Sequence, residues 1–215
     1  MERLTPDFAT LHPGYLLAKQ SQGRESESMP KQAVSSTRMD RSSLLRGVVG
    51  SAIGAKVHYE IWWAQVSDVA EPYYDKIDEH SAFFRASRDA HYMAFFIYLG
   101  HLFDRRNDAC SLMAYEKLLS KEARQPLDEA VARKFREFKK KGDPIRKIRN
   151  KTVAHIDSRL SEKDVFGPLN MTWNEIRKLI YDVAAFVAEL QADASEIPRD
   201  GHLGKATLKL FRALR

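Results

Sequence analysis

Apolar positions along the chain recur with helical spacing from about Ser42 onward. Leu45, Val49, Ile53, Val57 and Ile61 follow one another at i+4, which predicts a long helix with Trp62, Trp63 and Val66 near its end. Gly47, Gly50 and Gly54 weaken the first half of that helix unless they mark close contact with another helix. Pro72 separates it from a second helix over 81–103, whose stripe is Phe84, Ser87, His91, Phe95, Tyr98 and Leu102. A short helix over 111–120 follows, with Leu112, Tyr115, Leu118 and Leu119.

Punctuation organises the rest. Pro126 is expected to open a helix that runs to Lys141 and stops at Gly142. Asp143-Pro144 then reads as an N-cap with proline at N1, starting a separate helix that reaches about Arg159. That helix carries Ile145, Ile148, Thr152 and Ile156 on one face. Gly167-Pro168 makes a loop, and Thr172-Trp173-Asn174-Glu175 matches a capping box. Behind it Ile176, Leu179, Ile180, Val183, Phe186, Val187 and Leu190 form an amphipathic stripe to about Ala192. A connector from Ile197 to Gly204 and a last short helix over 206–214 complete the pattern. No segment alternates as a strand does. The expected fold is all-α, a bundle of four to six helices.

The first 41 residues break the pattern. Gln20 to Ser28 is polar and aperiodic, and cannot bury enough apolar area to offset its ordering entropy. The domain reading is therefore a flexible tail over 1–41, a helical bundle over 42–192, and a connector with a short helix over 193–215.

Composition narrows the class. Of 215 residues, 44% are hydrophobic and 30% charged, enough apolar material for a core. The longest apolar run, Tyr92 to Leu99, is far short of the ~20 residues that span a bilayer. No apolar stretch behind Glu2 and Asp7 reads as a secretory leader. The lone Cys110 leaves no internal disulfide and no cysteine-rich zinc module. A cytoplasmic protein with no membrane partner is expected, and nothing calls for a cofactor.

Charge changes the picture by its distribution. The net charge is +6, yet the segment 124–151 holds eleven basic against four acidic residues, a net of +7, so the remainder is slightly negative. Such a cluster attracts polyanions by steering and counterion release, although a solvated helix face would look the same. Lys139, Lys140, Lys141, Arg146, Lys147 and Lys151 are the RNA-binding candidates.

At the end of this run stands Ile148-Arg149-Asn150-Lys151-Thr152-Val153-Ala154-His155. Arginine offers a permanent forked cation for phosphate, and histidine titrates near neutrality. Phosphodiester cleavage without a metal needs both kinds of group. Arg149 and His155 are six residues apart, roughly 240° and ~9 Å on a straight helix. They do not point the same way, so the Arg must curl back or two copies must combine.

The string from Ile148 to Asp157 resembles the Arg-x4–6-His signature of the HEPN superfamily (higher eukaryote and prokaryote nucleotide-binding domains), in which an Asn typically follows the Arg. His101-Leu102-Phe103-Asp104 followed by Ser111-Leu112-Met113 is similar to its abortive-infection type U branch, and the resemblance covers about 42–192. It implies a helical bundle, usually a homodimer, with two signatures facing each other in a composite site. Many members are metal-independent endoribonucleases used as toxins in phage defence, which brings in RNA as partner and a possible antitoxin or regulatory partner. Carried over, Arg149 and His155 are the catalytic pair, Arg149 for the scissile phosphate and His155 for proton transfer, and Asn150 orients the site. Asp104 is a candidate for lining the cleft. The implied chemistry is attack of the RNA 2′-hydroxyl on its own phosphate, leaving a 2′,3′-cyclic phosphate. Some members carry a Tyr two residues after the His, where a nucleotidyltransferase modifies them; Asp157 stands there instead. The rival reading is a non-catalytic helical module that binds nucleic acid or a protein through the same basic face.

Two other constellations are weaker. His101, Asp104 and Asp108 stand at i, i+3 and i+7 as metal ligands can, but the local sequence reads better as a helix end and the next N-cap, so no metal is expected. Trp62, Trp63, Tyr73 and Tyr74 can stack on bases, but core packing and a loop rim explain them better.

Overall fold

The computed structural model describes residues 40–123, 125–152, 171–191 and 197–214. Among the described residues, five long helices build the bundle: α1 (Arg41–Val66), α3 (Ser81–Leu102), α4 (Leu112–Glu122), α5 (Glu129–Thr152) and α6 (Trp173–Leu190). A 3-10 turn (Asp68–Tyr73) and the short α2 (Tyr74–Glu79) link α1 to α3, and α7 (His202–Ala213) closes the chain. Among the described residues there is no strand. The expected tail over 1–41 lies, but for its last two residues, outside the described residues, as does the Gly167-Pro168 loop.

Local chemistry sets the helix starts. The Asp40 carboxylate accepts from the Ser43 amide at 2.8 Å and caps α1. Ser111 caps α4 by accepting from the Ala114 amide at 3.1 Å. The capping box of α6 is present in both directions: Thr172 Oγ1 accepts from the Glu175 amide, and the Thr172 amide donates to Glu175 at 2.7 Å. Its buried face is the expected stripe from Ile176 to Val187 with Ala184 added, and Leu190 is half-buried.

In α1 the buried face is Leu44, Val48, Val49, Ala52, Ala55, Tyr59 and Trp62, and of the i+4 series only Val49 is fully part of it. A strict i+4 repeat drifts about 40° per step and cannot hold one face of a straight helix. Two of the glycines do mark contact. A methyl on Gly47 would lie 2.5 Å from Cys110 Cβ, and one on Gly54 would meet the Tyr98 ring at 2.7 Å. Tyr59, Trp62, Tyr92, Phe95 and Trp173 form the aromatic heart of the core; Trp62 and Trp173 lie 4.8 Å apart and Tyr59 meets Phe95 edge-on at 5.6 Å.

The predicted break at Gly142-Asp143-Pro144 does not occur, and α5 runs through it. Gly142 is there for contact, because a Cβ would collide with Phe103 Cγ. Asp143 is occupied by Arg105, at 2.5 and 2.7 Å, and by Arg146 at 3.2 Å, so it does not serve as a cap. Pro144 removes the donor for one helical carbonyl, which the packing of Phe138, Ile145 and Ile148 on the core outweighs. The helix begins at Glu129 rather than Pro126, because Asp128 accepts from the amides of Ala130 and Val131.

The last helix also starts earlier than expected, at His202. Its cap comes from far away in sequence. Glu60 of α1, only 4% exposed, accepts from the amides of Gly201 and Leu203, each at 2.9 Å, and from the Tyr181 hydroxyl at 3.3 Å. Gly201 takes φ 71°, the left-handed turn that presents its amide. One turn before Glu60, buried Lys56 donates to the Pro198 carbonyl and pairs with Asp200 at 2.6 Å.

Between α1 and α3, His58 and His91 place their Nδ1 atoms 2.7 Å apart, and Tyr98 stacks on His58 at 5.6 Å. One ring must donate and the other accept, so one proton lies between the two Nδ1 atoms. Burial lowers the pKa of both, and His58 lowers that of His91 further. A folded pKa below the unfolded value of about 6.5 means that the unfolded chain takes up protons first. The stabilisation is present above that value and is lost as the pH falls through the lowered folded pKa. Thermal melts from pH 7.5 to 5 should show wild type losing stability more steeply than His91→Gln; equal slopes would contradict the coupling.

Candidate functional site

The register of α5 on α3 positions Arg149. Ile145 and Ile148 are fully buried, which turns the next residue toward the C-terminal end of α3. Gly100 gives it a seat: a methyl there would collide with Arg149 Cδ and lie 3.1 Å from Cγ and Nε. The arginine stem therefore lies flat across α3, leaving its side chain 24% exposed. Its guanidinium reaches Asn150 Oδ1, donating through Nε at 3.2 Å and Nη2 at 2.9 Å, and faces Asp104 Oδ2 at 3.8 Å.

Asp104 lies just beyond α3, 8% exposed, and is itself held. It accepts from the Arg106 amide at 2.9 Å and from Arg106 Nε at 3.2 and 3.3 Å. Burial pushes its carboxyl up, but the Arg106 amide and guanidinium, helped by Arg149, hold it below the usual carboxylate range. Asp104 thus carries a fixed negative charge behind Arg149, and its oxygens are committed to guanidinium groups.

Arg149, Asn150 and Asp104 are therefore brought together as a cluster. His155 lies outside the described residues, and so does the side chain of Lys151. Of the other basic candidates, Lys139, Lys140 and Lys147 are exposed along α5 with no carboxylate partner among the described residues. Lys141 stands 3.9 Å from Asp182, and Arg146 is tied to Asp143. The charged surface thus has unneutralised lysines within three turns before Arg149. Trp62 is core, Trp63 lies under the Arg177 guanidinium, and Tyr73 accepts from Arg212. Tyr74 is the exposed member of the aromatic set.

Two contributors escape a reading of the sequence by motif. Gly100 sits inside a strong helix and gives no local sign of its role. Arg106 looks like one more surface cation. Among the described residues no three His, Cys, Asp or Glu side chains gather as a metal site would require.

The all-α bundle is the fold expected of a HEPN-class domain. The chain belongs to the AbiU2 family of that class, whose model matches residues 41–204, from the first residue of α1 into the first turn of α7. No curated protein and no solved structure matches the chain. No helix among the described residues is long and apolar enough to cross a membrane.

The seat at Gly100 makes a direct prediction. Gly100→Ala should keep the fold, since the intruding methyl meets the flexible middle of an arginine rather than backbone. It should also lift the guanidinium off Asn150 and Asp104. Any function that depends on Arg149 should fall by roughly tenfold or more, as misplacement of a reacting group does; unchanged function with an unchanged melting point would contradict the assignment.

Proposed function

We propose that the protein is a metal-independent endoribonuclease of toxin type, acting in antiviral defence within the cytoplasm. Arg149 contacts the scissile phosphate, His155 takes part in proton transfer, and Asn150 holds the guanidinium in place. The observation that carries this reading is the placement of Arg149: seated on Gly100, oriented by Asn150, backed by Asp104, and still partly open to solvent. A preorganised cation beside a basic helix is suited to the charge that builds on phosphorus oxygens. In the reaction the 2′-oxygen attacks phosphorus, the bond to the 5′-oxygen breaks, and a 2′,3′-cyclic phosphate and a 5′-hydroxyl result. One proton leaves the 2′-hydroxyl and one arrives at the 5′-oxygen.

The working form is a homodimer in which two signatures face each other, with an antitoxin or another regulatory partner as its control. Sedimentation at micromolar concentration should show a dimer, and a strict monomer would contradict the composite site. The second reading, a non-catalytic module that binds nucleic acid or protein, draws on the exposed Lys139, Lys140 and Lys147. Incubation of the purified protein with single-stranded RNA and with tRNA in EDTA separates the two. Cleavage that Arg149→Ala and His155→Ala abolish supports the nuclease; RNA binding without cleavage supports the module.

A further inference from the structure

A second concave site lies where α1, α6 and α7 meet. An outer basin of about 470 Å³ runs along α6 from Asn174 to Asp182, with Asp200 and Gly201 also in its wall. A recess of about 180 Å³ reaches Tyr59, Trp63 and Ala64 of α1 and Leu208 of α7. Arg177, Tyr181 and Gly201 line both, so the two spaces join at those residues. No lining residue belongs to the cluster of Arg149, Asn150 and Asp104. We propose that this is a binding site for a small organic oxyanion, a molecule with one phosphate or carboxylate group on a ring-sized apolar body.

The charged groups of the lining differ in what they have left to offer. Its carboxylates are occupied. Glu60 accepts from the amides of Gly201 and Leu203 and from the Tyr181 hydroxyl, Asp182 accepts from Lys178 at 2.8 Å, and Asp200 pairs with Lys56. Arg177 and Lys205 have no carboxylate partner among the described residues. Arg177 instead lies over two aromatic faces, 5.9 Å from the centre of the Trp63 ring and 5.8 Å from that of Tyr181. Cation–π contact holds a guanidinium in place without using its N–H donors, which leaves the fork free for an oxyanion.

The recess sets the rest of the ligand. Trp63, Ala64, Val69 and Leu208 give it an apolar wall, and about 150 Å³ of apolar cavity is enough to hold a benzene-sized ring. Tyr59 lines it too, fully buried, and its hydroxyl has no hydrogen-bond partner among the described residues. Of the buried polar side-chain atoms left without a partner there, this is the one carried by a lining residue. Such an orphan is costly unless a group that enters the recess bonds to it. The charged head therefore sits at Arg177, where basin and recess join, and the ring fills the recess. A bare inorganic anion leaves the recess empty, and a neutral ring leaves Arg177 unanswered. The site stands whether or not the protein cleaves RNA.

Isothermal titration calorimetry on the full chain tests this with four probes: phenyl phosphate, benzoate, benzyl alcohol and inorganic phosphate. The expected result is one site per chain, with a Kd below about 1 mM for phenyl phosphate or benzoate. The tighter of these two names the head group. Benzyl alcohol, which lacks the charge, and inorganic phosphate, which lacks the ring, should each bind at least about tenfold more weakly. Arg177 is exposed, so Arg177→Met should keep the melting point while weakening the aromatic anion about tenfold or more. Tyr59→Phe should weaken it severalfold without lowering the melting point of the ligand-free protein, since the lost hydroxyl had no partner. Failure of both aromatic anions to bind, or equal binding of inorganic phosphate or benzyl alcohol, would overturn the proposal. So would an affinity that Arg177→Met leaves unchanged.

Discussion

Arg149→Ala should lower RNA cleavage by roughly 10²–10³-fold, the cost of removing one preorganised donor from a developing oxyanion. The fold should survive, because the side chain is anchored by a glycine seat and polar contacts rather than by the core. Arg149→Lys should recover little. An ammonium is a point charge and cannot donate to Asn150 from two nitrogens while offering a further N–H to phosphate. The exposed lysines supply the contrast. Lys139→Ala or Lys140→Ala should weaken RNA binding and reduce its salt dependence, with kcat unchanged, because these residues attract the polyanion without touching the reacting bond. Steady-state kinetics with RNA at two salt concentrations reads both effects. A kcat that follows the lysines rather than Arg149 would contradict the assignment.

Glu60→Ala should lower stability severely. Glu60 is buried and accepts two amides at the start of α7 and the Tyr181 hydroxyl, so its loss orphans three donors together. Charge-assisted hydrogen bonds are worth about 1.5–3 kcal/mol each, and a total of about 3 kcal/mol or more is expected. Lys56→Met should cost far less. Asp200 is 76% exposed and regains water, so the Pro198 carbonyl is the main loser. Urea midpoints compare the two variants, and hydrogen exchange should place the damage first in 202–213. Equal midpoints would show that α7 does not depend on its distant cap.

What the sequence reveals depends on how far each residue's partner lies along the chain. Thr172 and Glu175 satisfy each other three residues apart, so the start of α6 is legible from the amino-acid order alone. The stripe behind them is equally plain. Gly142-Asp143-Pro144 looks like a stop followed by a start because each residue usually has that local meaning. Here Gly142 makes room for Phe103, and Asp143 answers Arg105 from 38 residues earlier. The start of α7 is misplaced for the same reason, since its cap is 141 residues away on α1.

The candidate site divides in the same way. A forked cation, an amide and a histidine in one short string announce phosphate chemistry by residue type. Rotation along a helix shows that Arg149 and His155 need help to meet, but not what holds Arg149. Gly100 has no side chain to signal its role, and the Asp104–Arg106 clasp becomes meaningful only when α5 crosses the end of α3. Residue chemistry is readable in the chain; the seat is not.

Metal-free RNA cleavage by Arg149 and His155 is tested most directly by end analysis of RNA incubated with the purified protein in EDTA. The expected fragments end in 2′,3′-cyclic phosphate and 5′-hydroxyl, made by wild type and lost in both Arg149→Ala and His155→Ala. Absence of fragments from wild type, or the same fragments at the same rate from either variant, would contradict it.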